Sequence, residues 1–250
     1  MLLQQVLRKL SKVPYENISK VVAFDRYGDA SRAMALRGEN MAEADTGGTC
    51  FALTYRLKKE LMALGIESEY IMGDKYHLSN IHCGLRVCLE EACYLLDPGY
   101  MIFEPLPLPQ EGMEIFFDLI PNAVWLQDIS QEAVWRLCTG IGTDKKMRFD
   151  FRKAAVTEEL FMRYWRETYF FEMMGYPVLN KLHNGTQYYL QKNSWIQRTR
   201  EGSVMEKISR DRFKELAVSV YGLSDSLVNT YLEVLDKTSK KNPFKEAHSL

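Results

Sequence analysis

The sequence lacks several features that would fix its class at once. It has no apolar run long enough to cross a bilayer, so no membrane association is expected. Its opening, Met1-Leu2-Leu3-Gln4-Gln5-Val6-Leu7-Arg8, has no basic stretch ahead of an apolar one, so no export signal is expected either. The formal net charge is −1, which leaves no basic excess to neutralise phosphates and excludes nucleic acid as an expected partner. No internal repeat or low-complexity segment is apparent. Cysteine is scarce and odd in number: five, at 50, 83, 88, 93 and 138, with no C-x-x-C or other ligand spacing, so no metal site is expected. Thiols without an export signal read as reduced and the chain as cytoplasmic. With only four histidines, the candidates for a general base are few.

What is present centres on Thr46-Gly47-Gly48-Thr49-Cys50-Phe51-Ala52-Leu53. Two glycines allow a tight backbone approach, and a helical pattern starts straight after them. Leu53, Leu57, Leu61 and Leu64 form one apolar stripe of period 3.6, Thr49 suits an N-cap, and Gly65 falls where such a helix ends. Cys50 is thus expected in the first turn, where unpaired N–H groups and the helix dipole favour an anion. That placement can lower a thiol pKa from about 8.5 toward or below neutrality. The plainer alternative is a small apolar residue packed under a helix start.

Elsewhere, residues 2–12 predict a short amphipathic helix, ended before Pro14. Residues 19–45 show weak periodicity and read as loop with short helical pieces. From 67 to about 150 the pattern is that of strands. The clearest is Ile81–Leu89, where Ile81, Cys83, Leu85, Val87 and Leu89 alternate with polar or small residues. Cys93–Asp97 follows across a short loop and makes a hairpin. Further strands are expected near 69–73, 113–119, 124–129, 133–138 and 147–151, with irregular chain around Pro105, Pro107 and Pro109. Thr157 predicts the N-cap of a helix running as far as Gly175. Asn184-Gly185 marks a hairpin turn, helices are expected over 210–221 and 226–237, and the last dozen residues read as frayed.

A cysteine nucleophile needs a base, and the base needs an acceptor that fixes its tautomer. Of the histidines, His183 and His248 read as exposed and His77 as a loop residue, whereas His82 lies inside a strand beside Gly84. If Leu89 pairs with Ala92, and so Cys88 with Cys93, residue numbers across the hairpin sum to 181. Asp97 then falls opposite Gly84 and shares a face with His82 as its diagonal neighbour. An odd-length loop would put Asp97 on the other face, and Asp97 before Pro-Gly can equally be a turn residue. The set Cys50, His82, Asp97 points to acyl chemistry, with Cys50 attacking a carbonyl, His82 moving its proton and Asp97 orienting His82. Cys83, Cys88, Cys93 and Cys138 read as ordinary packing residues.

These segments together resemble the arylamine N-acetyltransferases. Val13-Pro14-Tyr15-Glu16-Asn17 is similar to that family's Pro-Phe-Glu-Asn segment, and Gly47-Gly48-Thr49-Cys50-Phe51 to its Arg-Gly-Gly-x-Cys-Phe. Ile81-His82-Cys83-Gly84-Leu85-Arg86-Val87 resembles its His-x-x-Leu-x-Val strand, and Leu96-Asp97-Pro98-Gly99-Tyr100 its Asp-Val-Gly-Phe-Gly. Order and spacing agree over roughly residues 5–110, with a shortened N-terminus. The resemblance implies an α+β fold with a transglutaminase- or papain-like core: an N-terminal helical bundle with the cysteine (1–65), an antiparallel β-barrel with the histidine and aspartate (66–155), and a C-terminal α/β lid (156–250). It implies ping-pong transfer with no permanently bound cofactor: acyl-CoA loads Cys50, and an arylamine, hydrazine or hydroxylamine takes the acyl group. Gly48, Thr49, Phe51, Gly99 and Tyr100 would line the substrate site. Two alternatives share the machinery: an amide synthase fed by an acyl carrier protein, and a transglutaminase-like hydrolase or peptidase. The sequence departs from the family at Thr46, Pro98 and Met101. Thr46 stands where an arginine usually partners Glu16, and Arg32 and Arg37 are candidate replacements.

Overall fold

A computed structural model describes residues 2–40, 47–141, 144–238 and 242–244. In chain order the helices are α1 (Leu2–Leu10), α2 (Ile18–Tyr27), α3 (Ala30–Asn40), α4 (Cys50–Ala63), α5 (Glu158–Glu167), α6 (Arg210–Ser219) and α7 (Asp225–Thr238). The strands begin with β1 (Tyr15–Glu16), β2 (Glu69–Lys75), β3 (Leu78–Leu89), β4 (Ala92–Leu96), β5 (Leu106–Pro107) and β6 (Glu114–Phe117). They continue with β7 (Ala123–Ile129), β8 (Val134–Ile141), β9 (Asp144–Val156), β10 (Val178–His183), β11 (Thr186–Gln191), β12 (Ser194–Arg198) and β13 (Ser203–Lys207). The chain is α+β, as expected. It divides into two compact units, each discontinuous in sequence: Met1–Ser11 with Leu53–Trp165, and Lys12–Ala52 with Arg166–Leu250.

The first unit is built on an eight-stranded antiparallel sheet in the order β5-β4-β3-β2-β9-β8-β7-β6, curled into a barrel-like form. Its core includes Ile71, Leu95, Leu126, Leu137 and Phe151, all fully buried. The β3–β4 hairpin turns through Glu90-Glu91, and its pairs Leu85↔Leu96, Cys88↔Cys93 and Leu89↔Ala92 give the register read from the sequence. One consequence of that register corrects the sequence reading. Cys88 and Cys93 face each other with Cα atoms 4.0 Å apart and form a disulfide, so they are not packing thiols. The pairing itself was the available clue, because directly opposed strand residues lie within disulfide reach.

Around the sheet, α1 buries Leu3, Leu7 and Leu10. Helix α4 buries Leu53, Leu57 and Leu61, but it ends at Ala63 and leaves Leu64 exposed before left-handed Gly65. Thr157 caps α5 through its Oγ1, which accepts from Leu160 N at 3.2 Å. That helix stops at Glu167, short of the expected Gly175. Two 3₁₀ turns, 168–170 and 172–175, replace its end, because Phe171 between them takes extended backbone.

The second unit holds a five-stranded antiparallel sheet, β1-β10-β11-β12-β13. Its core joins Ile18 and Val21 of α2 to Leu179, Leu190, Phe213, Leu216, Tyr231 and Leu235. Asn184 and Gly185, both at positive φ, make the expected hairpin turn between β10 and β11. Of residues 19–45, expected as loop with short helical pieces, the described part to residue 40 forms helices α2 and α3, joined at left-handed Gly28. Strands β12 and β13 were not foreseen, and every residue of β13 is exposed. The expected fraying of the last dozen residues falls mostly on residues outside the described ones, as do His248 and Thr46. No described helix is long and apolar enough to cross a membrane.

Candidate active site

In the second unit, backbone contacts set the approach to Cys50. Gly48 bridges Tyr15 in parallel; its carbonyl accepts from Glu16 N at 3.1 Å, and its N–H reaches Pro14 O at 3.4 Å. At Gly47 a β-carbon would sit 1.6 Å from the Pro14 carbonyl oxygen, so only glycine fits. Gly47 therefore lets this segment lie flush against the chain at Pro14, and Gly48 pairs with β1 through its backbone. Cys50 then opens α4; it is 7% exposed and carries a thiol, not a disulfide. Thr49, expected as the N-cap, is buried, but its hydroxyl has no hydrogen-bond partner among the described residues. The side-chain cap is therefore not made.

The strand that Gly48 meets is itself pinned. Asn17, fully buried, donates from Nδ2 to Met173 O at 2.7 Å and Tyr176 O at 2.9 Å. Its Oδ1 accepts from Val178 N at 2.8 Å. Glu16 is also fully buried and accepts from Ser19 N at 2.8 Å and from the Ser19 hydroxyl. Arg32 is exposed on α3, and the side chain of Arg37 lies outside the described ones. Among the described residues, the cation buried in this unit is Lys20, four positions beyond Glu16. Its Nζ donates to Thr168 Oγ1 at 2.5 Å and lies 4.3 Å from the centre of the Tyr169 ring.

In the first unit, β3 presents His82, 4% exposed, and the end of β4 presents Asp97, fully buried. Nε2 of His82 lies 2.9 Å from both Asp97 oxygens. Oδ1 of Asp97 also accepts from Tyr100 N at 3.0 Å, capping the 3₁₀ turn Pro98–Tyr100. Asp97 is thus both a turn residue and the partner of His82, two roles the sequence left as alternatives. With Nε2–H donated to a carboxylate, the lone pair of the neutral ring sits on Nδ1. Gly84 leaves room for this crossing: a β-carbon there would meet Leu95 Cδ1 and Leu96 O at 3.0 Å.

His183 is exposed, as read from the sequence, and His77, read as a loop residue, is exposed in the turn between β2 and β3. Of the remaining residues expected near substrate, Phe51 is fully buried, Gly48 and Gly99 are buried, and Tyr100 is half-buried with its ring nearly perpendicular to that of His82. Sequence reasoning missed Phe149 and Phe151, whose rings pack on the imidazole. Their spacing of two along a strand puts both on one face of β9 but does not say that His82 lies against it. Among the described residues, no group of three or more His, Cys, Asp or Glu side chains could hold a metal ion.

No family model matches the sequence, and no curated protein matches it by sequence. Solved structures do match by shape. An arylamine N-acetyltransferase from Mycobacterium marinum superposes with a TM-score of 0.79 at 14% identity, over 94% of this chain and 92% of the other. The M. marinum enzyme in complex with CoA gives 0.77 at 15%, over 94% and 93%. A Bacillus cereus arylamine N-acetyltransferase, described as having a Cys-His-Glu catalytic triad, gives 0.71 at 16%, over 89% and 90%. The fold is that of the arylamine N-acetyltransferases.

Proposed function

We propose that this chain is a cysteine-dependent acyltransferase that makes an amide from an acyl thioester through an acyl-Cys50 intermediate, with acetyl-CoA and an arylamine or hydrazine as the default pair. The observation that carries the reading is the buried contact of His82 Nε2 with both oxygens of Asp97, which leaves Nδ1 as the basic nitrogen. The opening of a helix by a cysteine supports it further, since N–H groups there favour a thiolate.

In the first half-reaction His82 Nδ1 takes the Cys50 proton, and the sulfur attacks the thioester carbonyl. Backbone N–H groups at the start of α4 hold the oxyanion. The C–S bond to CoA then breaks, and the imidazolium returns the proton to the departing thiolate. In the second half the amine attacks acyl-Cys50, His82 takes the amine proton, and the Cys50 sulfur leaves. Asp97 stays ionised throughout; it orients the ring and offsets the imidazolium charge. Gly48, Thr49, Gly99 and Tyr100 would line the acyl and acceptor positions. Phe51, fully buried, serves packing in this reading. No permanently bound cofactor is needed; the cytoplasm supplies acyl-CoA, although the Cys88–Cys93 disulfide runs against the expectation that every thiol there is reduced.

The test is to incubate the protein with acetyl-CoA and weigh it intact. One acetyl adduct, absent in Cys50→Ser and discharged by an arylamine, is the expected result. Loading by carrier-protein thioesters but not by acetyl-CoA would instead assign an amide synthase, and hydrolysis without loading a hydrolase. Cys50→Ser protein that still transfers acyl groups at near the parental rate would overturn the nucleophile.

A further inference from the structure

The imidazole of His82 is held by more than its carboxylate. Phe149 on β9 lies face to face with it, ring centres 4.0 Å apart and planes 12° from parallel. Phe151, two residues on, meets it at 5.7 Å and 64°, and Tyr100 at 6.3 Å and 80°. Tyr100 also stands edge-on to Phe149 at 5.4 Å. Across the ladder from His82 is Gly73, where a β-carbon would crowd His82 Cβ at 3.2 Å and Phe151 Cε1 at 3.4 Å. The neighbouring strand has thus given up a side chain, and the aromatic slot takes that space.

We propose that Phe149 is a positioning residue for His82: its π face fixes the plane of the imidazole and favours the protonated ring over the neutral one. A ring anchored at one nitrogen can still pivot about the line to its anchor, and a parallel aromatic face removes that freedom. The face of a phenyl ring carries negative potential, so it attracts imidazolium more strongly than neutral imidazole. This inference rests on His82 being the base proposed above.

Asp97 and Tyr100 are titratable groups beside the imidazole; the proposed function adds the Cys50 thiol. Of the residues flanking Phe149, Asp150 alternates to the other face of β9, while Arg148 is the extra residue where the β8–β9 register shifts between Leu137 and Cys138. Arg148 Nε donates to Thr139 Oγ1 at 2.6 Å, and Asp150 takes Arg136 at 2.7 Å. Asp74, beside Gly73, faces Arg152 at 3.6 Å.

The experiment is an NMR titration of the His82 ring in the full chain, in a Cys50→Ser background so that no thiol proton couples to it. Phe149→Leu, which keeps apolar volume and loses the π face, is expected to lower the His82 midpoint by about half a pH unit, roughly threefold in the protonation equilibrium. Phe149→Tyr is expected to restore it. A midpoint within about 0.1 unit of the parent in folded Phe149→Leu, or a fall that Phe149→Tyr does not reverse, would overturn the proposal. Should Phe149→Leu not fold, Phe149→Trp decides: its larger π face is expected to raise the midpoint, and no rise overturns the idea. The titration reads the ring without turnover, so failure of acyl loading counts against the acyltransferase and leaves this result standing.

Discussion

The most consequential residue contact is that between His82 Nε2 and the two oxygens of Asp97. A fully buried carboxylate cannot shed its charge into solvent, so its hydrogen bonds to the imidazole and to Tyr100 N must carry it. Asp97→Asn keeps the shape but offers an amide where an anion stood, and it can present N–H to Nε2 and so select the wrong tautomer. Acyl transfer is expected to fall by roughly three to four orders of magnitude with the fold intact, as measured by kcat/KM beside a circular dichroism melt. A loss of only a few-fold would mean that Asp97 serves the 3₁₀ turn and little else. The helix start at Cys50 and the His82–Asp97 pairing were legible in the sequence because each sits in a short local pattern: a glycine pair before a helix, a period-two strand, a hairpin. Phe149 was not legible, because its place beside His82 depends on how β9 lies against β2. The register between those strands shifts between Ile71 and Gly73, so that Gly73 pairs with Phe151. Nothing within either strand announces that shift.

Among the elements, β7 carries a buried charge with an evident pH signature. Burial raises the Asp128 carboxyl. Hydrogen bonds from Lys153, Ser130 and Gly112 N, with the charge of Lys153, outweigh that and hold it below its ordinary value. A carboxyl depressed in the folded state stabilises the fold above its ordinary range near pH 4, and the contribution fades as pH falls through the lowered folded value. Asp128→Asn is therefore expected to melt about 3–6 °C lower at pH 7, with the gap to the parent closing below about pH 4. A gap that stays constant down to pH 2 would separate the loss from the charge. Elements with strong periodicity, such as β3 and α4, were read correctly from sequence. Helices α2 and α3 show in the sequence only as short helical pieces, because their apolar residues do not gather into one stripe. Strand β13 escaped because both its faces are exposed, which erases the alternation that marks a strand.

For the whole molecule, the chain's path matters as much as its elements. Helix α1 belongs to the same unit as the barrel-like sheet, although more than forty residues of the other unit intervene. Its Leu3, Leu7 and Leu10 are buried, each worth about 2 kcal/mol, together a sum on the scale of a domain's entire stability of about 5–15 kcal/mol. A chain beginning at Lys12 is expected to lose its cooperative thermal transition, and one that melts as the parent does would show α1 to be dispensable. The other unit is threaded in the same way: Tyr15 and Glu16 pair with Asn180 and Leu179, and Asn17 bonds to Met173, Tyr176 and Val178. During synthesis, then, the residues that anchor the nucleophile leave the ribosome long before their partners have been translated. A nascent chain therefore carries Gly48 and Cys50 without the strand support that residues 173–180 give to β1, and the start of α4 takes its seat only once those later residues have emerged.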